Sequence, residues 1–273
     1  MPNDKPNIIL VMCDDLGYGD TGFNGNEIIR TPCLDAMRTE GARFTRFFAG
    51  GPVCSPTRGT CLTGRHYSRY GITHANVGRL PTEEITLARV CKERGYRTGH
   101  FGKWHLGTLT TAIRDSNRGG PDHAEEFSPP WLHGFDVCFS AEARVPTWDP
   151  MVTPDQKRPD GRFVYGEPGT FFGAHYWNER GEIIRDNLDG DDSRVIMDRA
   201  VPFIRECGGH KTPFLAVIWF HTPHTPVVAG PAYRAMYSEF SEDEQHYYGC
   251  VTAMDEQVGR LNRDLRDLGI END

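Results

Sequence analysis

Apolar positions along this chain fall into short runs and spaced stripes. Asn7–Met12 is an apolar run ending in Cys13-Asp14-Asp15, the pattern of a strand buried on both faces. Thr31-Pro32 has the shape of an N-cap followed by proline at the first helical position. With Gly41 as the stop, this predicts a helix over 32–40. Ala42–Phe48 reads as a strand, Thr86–Arg94 as a helix closed by Gly95, and Arg97–Phe101 as the next strand. From there to about residue 190 the chain is rich in Gly, Pro, Asp and Trp and reads as long surface loops rather than a linker. Ser193–Glu206 predicts a helix stopped by Gly208-Gly209, and Phe214–Phe220 is the strongest strand. Ser241 and Glu244 form a capping box. After it Val251, Met254, Val258, Leu261, Leu265 and Leu268 place one apolar stripe on a long helix over 241–268.

Strands alternating with helices predict an α/β fold, a mostly parallel central sheet sandwiched by helices. In such sheets functional groups gather beyond the carboxyl ends of the strands. Three polar clusters fall there: Asp14-Asp15, Lys103-Trp104-His105 and His221-Thr222-Pro223-His224.

Composition narrows the class. The chain has 273 residues, 38% hydrophobic and 25% charged, ordinary for a globular protein, with a net charge of −8. That charge argues against nucleic acid and anionic membrane as partners and leaves room for a local basic pocket. The run at Ile8–Met12 is too short for a signal peptide or a membrane span, so the sequence as written predicts a cytoplasmic chain. Eight cysteines without CxxC spacing fit neither a disulfide scaffold nor a zinc site, and most read as small buried hydrophobes.

Cys54 is the exception. Small residues and Ser55-Pro56 predict a tight turn into a helix near Thr57–Thr63, with Cys54 at its N-terminus, where the helix dipole favours negative charge. Arg58, one turn in, can point back to grip an oxyanion. Three residues separate Cys54 from Arg58, too few for the phosphate-wrapping loop of a cysteine phosphatase. Adjacent Asp14 and Asp15 either turn the chain or hold a hard cation such as Ca²⁺ or Mg²⁺; sharing one ion requires a backbone bend, which Gly17 and Gly19 could allow. Lys103 and His105 are either a solvated lysine and a histidine satisfied by backbone or an oxyanion-holding ammonium beside a proton-moving imidazole. The turn carrying His224 is stiffened by Pro223 and Pro226. Together these groups suggest an anionic ester substrate.

Cys54-Ser-Pro-Thr-Arg58 followed by Leu62-Thr63-Gly64-Arg65 resembles the signature of type I sulfatases in the alkaline-phosphatase superfamily. The resemblance extends to NIILVMCDDLGYGD, GKWHLG and PHTP in the same order, and so over essentially the whole chain. It implies an alkaline-phosphatase-like fold in a catalytic domain over 1–273. It implies that Cys54 is oxidised by a formylglycine-generating maturation enzyme, and that its hydrate is the nucleophile. Asp14, Asp15 and an oxygen of modified residue 54 would bind Ca²⁺ (or Mg²⁺). Arg58 would hold the formylglycine, His224 and Lys103 would bind the sulfate and protonate the leaving alcohol, and His105 would take the proton that releases it. A periplasmic or secreted location is also implied.

The pattern departs from the family at the end. The Asp-Asn or Asp-His pair that completes the metal site, a later lysine and a smaller C-terminal domain are not met before Asp273. The chain is therefore expected to be the N-terminal, C-terminally truncated portion of such an enzyme, with weak metal binding and poor activity. An open sheet position and a partly uncovered face on helix 241–268 are expected with it. A small-molecule or oligosaccharide sulfate ester is the expected substrate. Residues 140–150 and His175-Tyr176-Trp177 either line a sugar site or pack as an ordinary loop. The alternatives are a phosphonate monoester or phosphodiester hydrolase and an inactive remnant. Cys61, seven residues beyond Cys54, is expected to pack in the core.

Overall fold

A computed structural model describes residues 5–272, in which the apolar runs become the inner strands of one sheet. The strands are β1 (Ile8–Met12), β2 (Arg97–Lys103), the short β3 (Arg114–Asp115) and β4 (Arg118–Gly119), β5 (Val137–Ala141), β6 (Tyr176–Trp177), β7 (Ile183–Ile184) and β8 (Phe214–Trp219). The helices are α1 (Pro32–Glu40), α2 (Cys54–Thr63), α3 (Tyr67–Tyr70), α4 (Leu87–Glu93), α5 (Asp192–Gly209), α6 (Pro231–Ala235) and α7 (Glu242–Asp267).

The main sheet has the order β1-β8-β2-β5-β6-β7. The first four strands are parallel, and β6 and β7 join antiparallel at the far side. β8 is central because its side chains alternate between two cores. Phe214, Ala216 and Ile218 enter the core under α5 and α7, while Leu215, Val217 and Trp219 enter the one holding Leu62, Ala88 and Cys91 of α2 and α4.

The long terminal helix starts as its sequence predicts. Glu244 accepts from the Ser241 backbone N–H at 3.0 Å. Val251, Met254, Val258 and Leu261 are buried, with Leu265 and Leu268 packed at the margin. The uncovered face expected on this helix is not found, because α1, α5 and α6 all pack against it. The open sheet position is found: β1 has a strand partner on one side only among the described residues.

Ala42–Phe48 is not a strand. Every residue from 41 to 50 is exposed, with Phe47 and Phe48 at 83% and 84%. A strand exists only through a partner's ladder, and this segment has none. β5 lies inside the stretch expected to be irregular, where its five residues, with Ser140 among them and Gly134-Phe135-Asp136 before, are too few to show a period. α5 runs on to Gly209, three residues past the expected end. Tyr176 and Trp177 sit in the core, so packing rather than a sugar site accounts for them.

Candidate active site

The carboxyl end of β1 supplies the first group. Asp14 is 4% exposed, and its backbone N–H donates to Thr222 O at 3.1 Å, tying β1 to the turn after β8. The chain then bends at Asp15, whose φ is +67°, so the expected bend comes from Asp15 itself and not from Gly17 (φ −74°) or Gly19. Asp15 stays outside, its side chain 64% exposed. Adjacent carboxylates thus part company, one inward and one toward solvent.

β2 supplies Lys103. Gly102 has φ +105°, and a Cβ there would lie 1.9 Å from Trp219 O, so only glycine lets β2 run this close to β8 before turning out Lys103. Lys103 Nζ donates to Asp14 Oδ2 at 2.6 Å, and both side chains are buried. From α2, Arg58 reaches Asp14 Oδ1 at 3.2 Å and donates from Nη1 to Lys103 O at 3.1 Å. Its guanidinium lies 4.9 Å from the centre of the Trp219 ring. Burial pushes the Asp14 carboxyl up, but the charges of Arg58 and Lys103 outweigh it and hold the group well below the usual carboxylate range. Two buried cations face this one buried carboxylate, which leaves a surplus of positive charge suited to an anion.

Cys54 opens α2. Val53 at the N-cap offers no side-chain acceptor, so the first-turn N–H groups are left facing the site. Cys54 Sγ, an Asp14 carboxylate oxygen and a His224 ring nitrogen lie within 4.8 Å of one another. His224 Nδ1 sits 2.6 Å from Thr225 O, which can only accept, so Nδ1 carries hydrogen and Nε2 faces the cluster. Asp15 Oδ2 is 3.7 Å from that Nε2. Burial first, and then the Lys103 ammonium, lowers the His224 pKa. The expected grouping of Asp14, Asp15 and residue 54 therefore gathers around His224, with Asp15 at the rim.

His105 lies one step behind, buried, with φ +56°. Burial, Lys103, Arg58 and Arg118 hold its ring neutral, its pKa well below the ordinary value, with Asp14 opposing. His221, in the same turn as His224, is instead a core residue held by Asp192 Oδ2 at 2.9 Å. Cys61 is half-buried against the second core, and burial pushes its thiol up. None of the eight cysteines is paired in a disulfide.

A cavity of about 700 Å³ opens beside this cluster along the flank of β1, lined by Asp14, Asp15, Cys54 and Arg58 with Leu10, Met12, Phe47 and Phe48, while Lys103, His105 and His224 are not in its lining. That size suits a small ligand. Sequence reasoning missed three contributors: Trp219 under Arg58, and Asn76 and Asn117 beside His105. Trp219 reads as one more apolar position of β8, and Asn76 as a turn residue 29 positions from its partner.

A donor test bears on a hard cation. Such ions take six to eight oxygens, and here two carboxylates are near, one of them already holding two cations. An oxygen at residue 54 would fit the carboxylate set better than sulfur does. Arg58 Nε, four residues along the same helix, is buried with no acceptor and so has a donor to spare.

The family model for Sulfatase matches residues 6–273. Arylsulfatase G of Rattus norvegicus is 31% identical over 98% of this chain and 49% of its own length. The N-acetylgalactosamine-6-sulfatase of Mus musculus is 30% identical over 97% of this chain and 48% of its length. The crystal structure of Ps i-CgsB superposes with a TM-score of 0.77 at 28% identity, covering 98% of this chain and 56% of that one. The same protein is also known in complex with k-i-k-neocarrahexaose. The shared fold is the alkaline-phosphatase-like α/β fold with a mostly parallel sheet. The chain spans about half the length of these curated relatives.

Proposed function

The chain belongs to the sulfatase family, and from that premise we propose that it hydrolyses sulfate esters, with residues 1–273 forming the N-terminal part of the catalytic domain around Cys54. The observation that carries this reading is the meeting of Asp14, Arg58, Lys103, Cys54 and His224 at one sheet end, with buried positive charge in excess. A sulfate monoester carries a single negative charge that such a pocket neutralises.

Cys54 would be converted to formylglycine by a maturation enzyme, and Asp14, Asp15 and the new oxygen at residue 54 would hold Ca²⁺ or Mg²⁺. When bound, these two groups supply a hydrated aldehyde as nucleophile and a Lewis acid for the sulfate. The chain's own residues do the rest. Arg58 holds residue 54 and offsets charge beside it, with Trp219 fixing the plane of the guanidinium. Lys103, pinned by Asp14, offers its remaining N–H bonds to the sulfate oxygens. His224 holds a proton for the leaving alcohol at Nε2, since Nδ1 is committed to Thr225 O. Burial and Lys103 keep that ring neutral at rest; an anionic ester beside Nε2 pulls the other way and loads the proton. His105 takes up the proton that accompanies sulfate release.

A sulfated carbohydrate is the favoured substrate. Support comes from the N-acetylgalactosamine-6-sulfatase relative and the neocarrahexaose complex of the structural neighbour. A periplasmic or secreted location would suit such polymers. No described helix is long and apolar enough to cross a membrane. The test is release of sulfate from an aryl sulfate and from 6-sulfated N-acetylgalactosamine, set against release of phosphate from the matching aryl phosphate and phosphonate esters. Faster sulfate release is expected; a preference for the phosphorus esters would overturn the assignment.

A further inference from the structure

His105 Nε2 lies 2.6 Å from Asn76 Oδ1, and the same oxygen accepts from Asn117 Nδ2 at 2.8 Å. A carboxamide oxygen that already accepts one N–H can only accept from the imidazole as well. The network therefore puts the ring hydrogen on Nε2 and leaves a lone pair on Nδ1. That Nδ1 is buried with no partner among the described residues. A buried nitrogen left without a partner is unfavourable, and here it is the lone pair of a base that a hydroxyl could satisfy.

The surroundings hold the ring in place. His105 N donates to Glu142 O at 2.8 Å, and Arg118 Nε donates to Glu142 Oε1 at 3.0 Å. Asn117 N reaches Glu142 Oε2 at 3.4 Å, so Asn117 links this ion pair to Asn76. His105 follows Lys103 by two residues at the carboxyl end of β2, the sheet end where Lys103 and Arg58 meet Asp14, so the ring belongs to the same edge as the candidate site. Asn76 itself takes φ +62°, a conformation asparagine accepts more readily than most residues.

We propose that Asn76 is a positioning residue: by taking the Nε2–H of His105 it fixes the tautomer in which Nδ1 is the base. The step it serves is a proton transfer. The O–H bond of a site hydroxyl breaks, the proton joins Nδ1, and the electron pair stays on oxygen. Without Asn76 the ring can carry its hydrogen on Nδ1, where it cannot act as base. This rests on the hydrolase reading above for its catalytic use, although the tautomer itself does not.

Nitrogen-15 NMR of histidine-labelled protein tests it, with the His105 signals identified by their loss in His105→Gln. Asn76 is exposed, so its substitution removes no core packing, and Asn76→Asp, which tolerates the same φ of +62°, controls for the backbone strain that leucine meets there. The native protein should show a pyridine-type Nδ1 and a pyrrole-type Nε2. Asn76→Leu should mix the tautomers and lower kcat roughly 10²-fold with KM unchanged. Asn76→Asp keeps an acceptor and should restore the tautomer and most of kcat. Its carboxylate should move the acidic limb of the pH–kcat profile to higher pH, since a negative neighbour favours the imidazolium. A native Nδ1–H tautomer, or an Asn76→Leu protein with unchanged spectrum and kcat, would overturn the proposal. The predicted spectra in a protein that releases no sulfate would support the tautomer assignment and count against the hydrolase reading.

Discussion

The carboxyl end of the sheet and the outer flank of β1 lie side by side around Cys54 and are built on opposite principles. At the sheet end Asp14, Arg58 and Lys103 are buried and paired, two of them placed by strand ends and Arg58 by α2. On the flank, β1 has no outer neighbour among the described residues, and the aromatic run before Cys54 lies exposed. The comparison teaches that the electrostatics of the site come from the ends of the parallel strands and from helix α2 packed on them. Asp14 and Lys103 are placed by β1 and β2, Arg58 by α2, and the exposed aromatic run contributes no charge to them.

Removing one partner of the buried cluster should have the largest effect. Arg58→Ala leaves the Asp14 charge half-answered in the interior and is expected to lower stability by about 3–5 kcal/mol in urea melts. Arg162→Ala, which shares the surface with its partner Asp160, should cost only a small fraction of that. Equal losses would mean that the cluster is not the anchor its burial implies.

A buried carboxylate without cations sharpens the contrast at intermediate size. Asp191 caps α5 through Arg194 N at 3.0 Å, its Oδ2 is unpartnered, and burial raises its pKa to about 7. Between its unfolded value and about 7 the native state holds the extra proton, so its contribution falls as pH rises through that window. Asp191→Asn keeps the cap and should raise stability by on the order of 1–3 kcal/mol at pH 8, with little change at pH 4. Asp14 behaves in the reverse sense. Its depressed pKa contributes stability at neutral pH that is lost only in strong acid. A pH-independent effect of Asp191→Asn in thermal melts would contradict the assignment.

The flank should give the smallest effect. Phe47→Ser with Phe48→Ser is expected to change stability by less than about 0.5 kcal/mol each, because neither ring is buried. A loss of several kcal/mol would show that the run packs on β1 after all.

Legibility in the sequence follows the same divide. β1, β8 and α7 could be read because each carries a complete period or an unbroken apolar run. The site could be read where a motif fixes spacing, as at Cys54 and Arg58, or where the rule of sheet ends gathers Asp14, Lys103 and His224. Ala42–Phe48 has strand composition, yet composition cannot report whether a partner exists. β5 was too short to announce itself. Asn76 and Trp219 act through contacts made only by folding, and nothing local marks them. His221 and His224 look alike in sequence; the backbone of one turn sends the first into the core and the second to the site.

The account turns on what occupies position 54. The most direct measurement is mass spectrometry of the peptide spanning residue 54, taken from protein that releases sulfate from an aryl ester. An aldehyde or its hydrate in place of the thiol is predicted, trapped by a hydrazide probe and absent in Cys54→Ala. An intact Cys54 thiol throughout protein that turns over sulfate esters would contradict it.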